Sequence, residues 1–210
     1  MFRSTLALAA CSTLFAGGAS ASPITVMFGD STTSGLFTTG GGSGVIDNTV
    51  NPSVTVDGVT LTLDTGSPTS TFESTSTGTG ITSPGNASDL QVDDGENFTL
   101  SFDASGTLDE VVGFQFPGSS EVTFTNTATS ESETVTFTED DNSGQTINTE
   151  ALNLSFSAGD VITVTNVVTQ FGPLSQGYRF QSFTVTVPEP GSVALLGLGS
   201  ALMLMRRRSA

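Results

Sequence analysis

Apolar side chains that return at every second position, in one stretch after another, restrict the fold of this 210-residue chain more than any other feature. In NFTLSFD the residues Phe98, Leu100 and Phe102 point one way while Thr99 and Ser101 point the other. That is the period of a half-buried strand, not of a helix. The same period recurs at Val122 and Phe124; at Val135 and Phe137; at Leu152, Leu154 and Phe156; at Ile162 and Val164; and at Phe183, Val185 and Val187. Thr and Val fill much of the remainder, and β-branched side chains suit a pleated surface better than a helix. Asp57-Gly58, Pro117-Gly118, Ser143-Gly144 and Ala158-Gly159-Asp160 punctuate the runs as turns. No helical period interrupts residues 22–187, so the pattern predicts an all-β fold. We read it as nine to eleven strands in an antiparallel β-sandwich of jelly-roll type. Residues 29–44 and 64–88, rich in Gly, Ser and Thr, read as long loops or irregular edge strands.

Chemistry is narrowed by what the chain lacks. It has no His, no Lys and no Trp, with 21 acidic groups against five Arg. Without His there is no Ser-His-Asp or Cys-His group and no imidazole ligand, and so few cations cannot neutralise nucleic-acid phosphates. Twenty of the acids lie in residues 22–187, where Arg179 is the only base. A lone Arg among so many acids pairs locally or lies over a neighbouring aromatic such as Tyr178.

Carboxylates are thus the abundant reactive groups. Asp93, Asp94 and Glu96, or Asp109 and Glu110, offer the acid and base of a glycoside hydrolase. A single Tyr and no Trp leave little for the aromatic platform a sugar subsite uses. Calcium suits such oxygens better. In EDDNSGQTINTE the residues Glu139, Asp141, Ser143 and Glu150 occupy positions 1, 3, 5 and 12 of an EF-hand spacing, with Gly144 at position 6. Position 1 is not Asp, and the preceding ETVTFT reads as a strand where the motif needs a helix. The competing reading is a polar connection between strands. No other cofactor is expected.

The two ends read as addresses. Residues 1–21 open with Arg3, continue through an apolar stretch and finish in Ala19-Ser20-Ala21, the small-residue rule of signal peptidase. We therefore place a signal peptide at 1–21 and the exported domain at 22–187. The alternative is a lipoprotein box at Leu8-Ala9-Ala10-Cys11. If the first site is cut, the only Cys leaves with the signal. At the other end Pro188, Glu189 and Pro190 precede an apolar run over 191–205, then Arg206, Arg207 and Arg208. As a helix that run would span about 22 Å, a short transmembrane helix that snorkelling arginines and local thinning can accommodate. The triple Arg holds the end in the cytoplasm and leaves the domain outside.

Residues 188–210 resemble the PEP-CTERM sorting signal of exopolysaccharide-making Gram-negative bacteria: a Pro-Glu-Pro motif, a transmembrane helix and a terminal Arg cluster, in that order. The resemblance implies that exosortase, a membrane protease, recognises Pro188, Glu189 and Pro190. The segments FTLSFDASGTLDEVVGFQF and SAGDVITVTN, and the strand running into VPEP, also look like the β-sandwich modules of other proteins with this tail. The expectation is an exported, non-catalytic surface or extracellular-matrix protein associated with exopolysaccharide or biofilm. Its processing partners would be signal peptidase and exosortase, its tail would anchor it in the membrane before processing, and it would bind no nucleic acid. A carbohydrate-binding module, with or without calcium, is the alternative.

Overall fold

The computed structural model describes residues 21–28, 51–75, 78–82, 91–93, 95–115, 118–138, 146–170 and 177–188. They belong to one compact unit, Ala21–Pro188. Among them are twelve strands and no helix: β1 (Ser22–Met27), β2 (Ser53–Val56), β3 (Val59–Asp64), β4 (Thr71–Thr75), β5 (Gly78–Thr82), β6 (Asn97–Phe102), β7 (Gly106–Gln115), β8 (Ser119–Asn126), β9 (Ser132–Thr138), β10 (Thr146–Phe156), β11 (Val161–Gln170) and β12 (Tyr178–Val187).

All pairings are antiparallel and fall into two six-stranded sheets. One runs β10-β7-β12-β5-β4 with β1 also on β12; the other runs β2-β3-β6-β11-β8-β9. The pairs β8·β9, β7·β10, β6·β11 and β5·β12 nest one inside the next, as in a single long hairpin folded over on itself. Strands then meet across the fold as β7·β12 and β8·β11. This is jelly-roll winding, as the alternating sequence predicts. The β2–β3 hairpin and β4 extend the two sheets, and β1 lies outside the nest.

The sequence periods translate into burial. In β6 the pattern is exposed, buried, half-buried, buried, with Phe98, Leu100 and Phe102 facing inward. Between β2 and β3, Asp57 and Gly58 have φ of 49° and 81°. A two-residue loop with both φ positive is the type I′ turn whose twist matches a hairpin, which is why Asp-Gly works there. Where the period slips, a bulge accounts for it. Tyr178 and Phe180 face inward, then Phe183 and Val185, because β12 skips Gln181 against β7: Phe180 pairs Gly113 and Ser182 pairs Val112. A second slip between Leu108 and Glu110 leaves Asp109 unpaired against β12.

Twelve strands exceed the nine to eleven expected; β4 and β5 arise inside residues 64–88, and of the two readings of that segment, long loops or irregular edge strands, the second fits β4 at the end of its sheet. Gly78 shows why β5 lacks bulk: a Cβ there would lie 2.3 Å from the Phe180 carbonyl oxygen.

Between the sheets runs a connected set of rings. Phe180 sits 4.7 Å from Phe98, 4.9 Å from Tyr178 and 5.2 Å from Phe183 (centroid to centroid), and Tyr178 sits 5.0 Å from Phe137. Most are tilted or edge-to-face, the favoured geometry for such pairs. Burying each large side chain contributes roughly 1.5–3 kcal/mol, so β12, which supplies Tyr178, Phe180 and Phe183, anchors the core.

Candidate functional site

β12 ends where the tail begins. Val187 is half-buried opposite Ser22, and Pro188, the next residue, is exposed. Six consecutive pairs, from Ser22↔Val187 to Met27↔Ser182, tie β1 to this end of β12, and the amide of Phe28 donates to Gln181 O at 2.7 Å. Proline lacks an amide hydrogen and fits poorly in a ladder, so the sheet stops as the Pro-Glu-Pro segment starts. Ala21 is exposed just ahead of β1. The first and last strands of the described chain therefore lie side by side, each at its junction with a predicted signal. Ala19, Glu189, Pro190, Arg206, Arg207, Arg208 and the apolar run 191–205 lie outside the described residues.

Residues 91–96 carry the chain from one sheet to the other. Gln91 bridges Ile81, and Val92 bridges Tyr178 in the β12 sheet, while β6 of the opposite sheet starts at Asn97. The turn is tied from several sides. The Asp93 amide donates to Glu96 Oε2 at 2.9 Å, the Gly177 amide to Asp93 Oδ1 at 3.1 Å, and Asn166 Nδ2 to the carbonyls of Val92 and Asp93 at 2.9 and 3.1 Å. Asp93 and Glu96, candidates for acid–base work, accept these turn-forming bonds. Asp94 lies outside the described residues.

Beside this turn is an open cleft of about 250 Å³ lined by Thr65, Ser70, Ile81, Glu96 and Asn97. Its lining is mostly hydroxyl, carboxylate and amide. Thr65 Oγ1 is already engaged, donating to Ser67 O and Ser70 O at 3.0 and 3.1 Å.

Tyr178 is fully buried and Arg179 half-buried, on opposite faces of β12. Of the two readings for Arg179, stacking on Tyr178 does not fit, because consecutive strand residues point apart; the register places Arg179 opposite Phe114. The Tyr178 hydroxyl has no hydrogen-bond partner among the described residues, nor have Asn166 Oδ1 and Ser120 Oγ. Burial, with the Glu96 charge as a smaller cause, pushes the Tyr178 phenol well above its usual range.

At the far end of the sandwich Asp160 Oδ2 accepts from the Ser157 amide at 2.9 Å and from Asn126 Nδ2 at 3.0 Å. These bonds, the Ser157 amide first, hold the Asp160 carboxyl below its usual range. Asp109 and Glu110 sit at the β7 bulge, where Glu110 Oε1 accepts from Thr184 Oγ1 at 3.4 Å. Of the calcium set, Glu139, Asp141 and Ser143 lie outside the described residues, while Glu150 is half-buried in β10 opposite Val111. Among the described residues no three Asp, Glu, Cys or His side chains gather as a metal would require.

The tail is where the chain matches something known. Residues 186–209 match the PEP-CTERM protein-sorting motif. The match starts at Thr186, inside β12, so the motif overlaps the last paired residues of the sandwich and continues past Pro188. The PEP-CTERM motif implies an exosortase substrate, exported and membrane-anchored as a precursor. No curated protein matches the chain in sequence. Among solved structures, a family 29 carbohydrate-binding module in complex with mannohexaose superposes with a TM-score of 0.32 at 10% identity, covering 79% of this chain and 92% of its own. Another family 29 module gives 0.30 at 10% identity, over 79% of this chain and 86% of its own. Superposition this loose says nothing about a ligand.

Proposed function

We propose that this chain is an exported, non-catalytic β-sandwich delivered to the cell surface or extracellular matrix by exosortase processing of its tail. The observation that carries the reading is the PEP-CTERM motif over residues 186–209, with Pro188 exposed at the point where β12 ends. A protease needs an extended, accessible segment, and proline directly after the last paired residue provides one. Association with exopolysaccharide or biofilm belongs to the same reading, as does removal of residues 1–21 by signal peptidase. The bonds that occupy Asp93, Glu96 and Glu110 support a structural role for those carboxylates. Replacing Pro188, Glu189 and Pro190 together by Ala tests the sorting step. Export should persist while the processed mass and the surface fraction change; unchanged mass and fractionation would contradict it.

A second reading, a carbohydrate-binding module, draws support from the polar cleft at Thr65, Ser70, Glu96 and Asn97. Against it, every described Phe and Tyr ring is buried, which leaves no described platform for stacking on a sugar. Binding of native polysaccharide that is lost on Glu96→Ala and Asn97→Ala would favour this reading; equal retention by wild type and variants would remove it.

A further inference from the structure

β1 stands apart from the rest of the sandwich. The nested pairs β5·β12 to β8·β9 close without it, and among the described residues β12 is its sole partner. Only Phe180 of β12 pairs with β5, so among the described residues β1 alone covers the edge of β12 facing away from β7 over 182–187. Without β1 that edge would offer a row of unpaired amides and carbonyls, together with the apolar slot that Ile24, Val26 and Phe28 fill at 7%, 3% and 4% exposure. Phe28 meets Phe183 edge-on at 5.1 Å within that slot.

Open strand edges are normally protected by charge. Here both sides of the seam, SPITVM and SFTVTV, are uncharged in a domain otherwise crowded with carboxylates. β1 joins the remainder only through residues 29–50. A connection of that length reaches at most on the order of 70 Å, enough to place β1 on a neighbouring molecule.

We infer that β1 is an exchange strand, and that the edge of β12 over Ser182–Val187 accepts the β1 of a second copy of this chain. The contacts made are the same within one chain or between two, so exchange costs no interface. The balance is set by effective concentration, in the millimolar range for a short tether and lower for a longer one. Copies held close together at one surface approach that range, whereas dilute copies close on themselves. The inference does not depend on how the tail is processed.

Thr25 and Thr184 face each other across the seam, with hydroxyls 3.2 Å apart. Directly opposed positions have Cβ atoms close enough for a disulfide after small adjustment. Full-length chains carrying Thr25→Cys or Thr184→Cys, each with Cys11→Ser, are coproduced with their export signals intact and oxidised. The expected result is a covalent dimer in the mixture, growing with expression level. It should exceed several-fold the yield of a Thr25→Cys and Thr123→Cys mixture, since Thr123 lies on the other sheet. One chain carrying both Thr25→Cys and Thr184→Cys is the folding control and should also close within itself. Closure in that control with no dimer in the mixture overturns the inference. So does a dimer yield no greater than the Thr123 pairing, and so does failure of the control to close, which would mean that the β1–β12 register is wrong.

Discussion

Tyr178→Phe removes one oxygen from the centre of the sandwich, and it should make the protein more stable. The phenol is fully buried at the start of β12, packed 5.0 Å from Phe137 and 4.9 Å from Phe180, and its hydroxyl meets no acceptor or donor among the described residues. Leaving such a group unsatisfied costs about 1–3 kcal/mol. The ring stays in Phe, so the stacking and burial remain, and we expect a gain of about 1–2 kcal/mol. For a domain of this size each kcal/mol moves Tm by about 2–4 °C, so thermal unfolding followed by circular dichroism should shift upward by roughly 2–8 °C. The same site makes a pH prediction. Burial keeps the phenol protonated in the folded chain while the unfolded chain ionises at its ordinary value of 10.0, so stability falls further as pH rises above that value. One unit above, the wild type should have lost about 1.4 kcal/mol through this group, and Tyr178→Phe should not. Tyr178 is the only Tyr and there is no Trp, so tyrosinate absorbance reports this group alone. A variant less stable by 1 kcal/mol or more, or tyrosinate forming near pH 10 while the fold persists, would refute the reasoning.

Three further outcomes follow from the packing. A Cβ on Gly113 would lie 2.5 Å from the ring of the fully buried Phe137. Gly113→Ala should therefore cost about 1–3 kcal/mol in denaturant melts, and Phe137→Leu in the same chain should recover part of it. Gly58→Ala puts a side chain on a residue with φ of 81° and should destabilise the β2–β3 hairpin by about 1 kcal/mol, although nothing crowds the space. Asp160→Ala should weaken the fold at neutral pH. Its carboxyl is held below the usual range, so the stabilisation is present above about pH 4 and fades as pH falls through the folded value. Acid titration monitored by circular dichroism should show the two proteins converging.

Legibility from sequence followed the physical code each feature uses. Strands with strict alternation, such as β6, β8, β9, β10 and β11, could be read directly, as could the Asp57-Gly58 turn, because period and φ preference are local properties. The Pro188 junction was equally plain. β4 and β5 were not, since no apolar alternation marks them and Gly78 suits close approach to β12 rather than apolar bulk. The side of β12 on which Arg179 falls followed from strand alternation alone, yet the adjacency of Tyr178 suggested stacking instead. The cleft at Thr65 and Glu96, and the tie from Asn166 to the 91–96 turn, join residues far apart in the chain. No local pattern marks them, and only the jelly-roll winding brings them together.

The place of β12 in its sheet bears on what a shortened chain can do. This last strand lies between β7 on one side and β1 and β5 on the other, and it carries the rings that join the core. A chain broken off anywhere before Tyr178 lacks the middle of its sheet, not a dispensable border, and leaves β1, β5 and β7 with bare edges. The sandwich and its address therefore share residues: the last rungs of β12, Thr186 and Val187, already belong to the sorting motif.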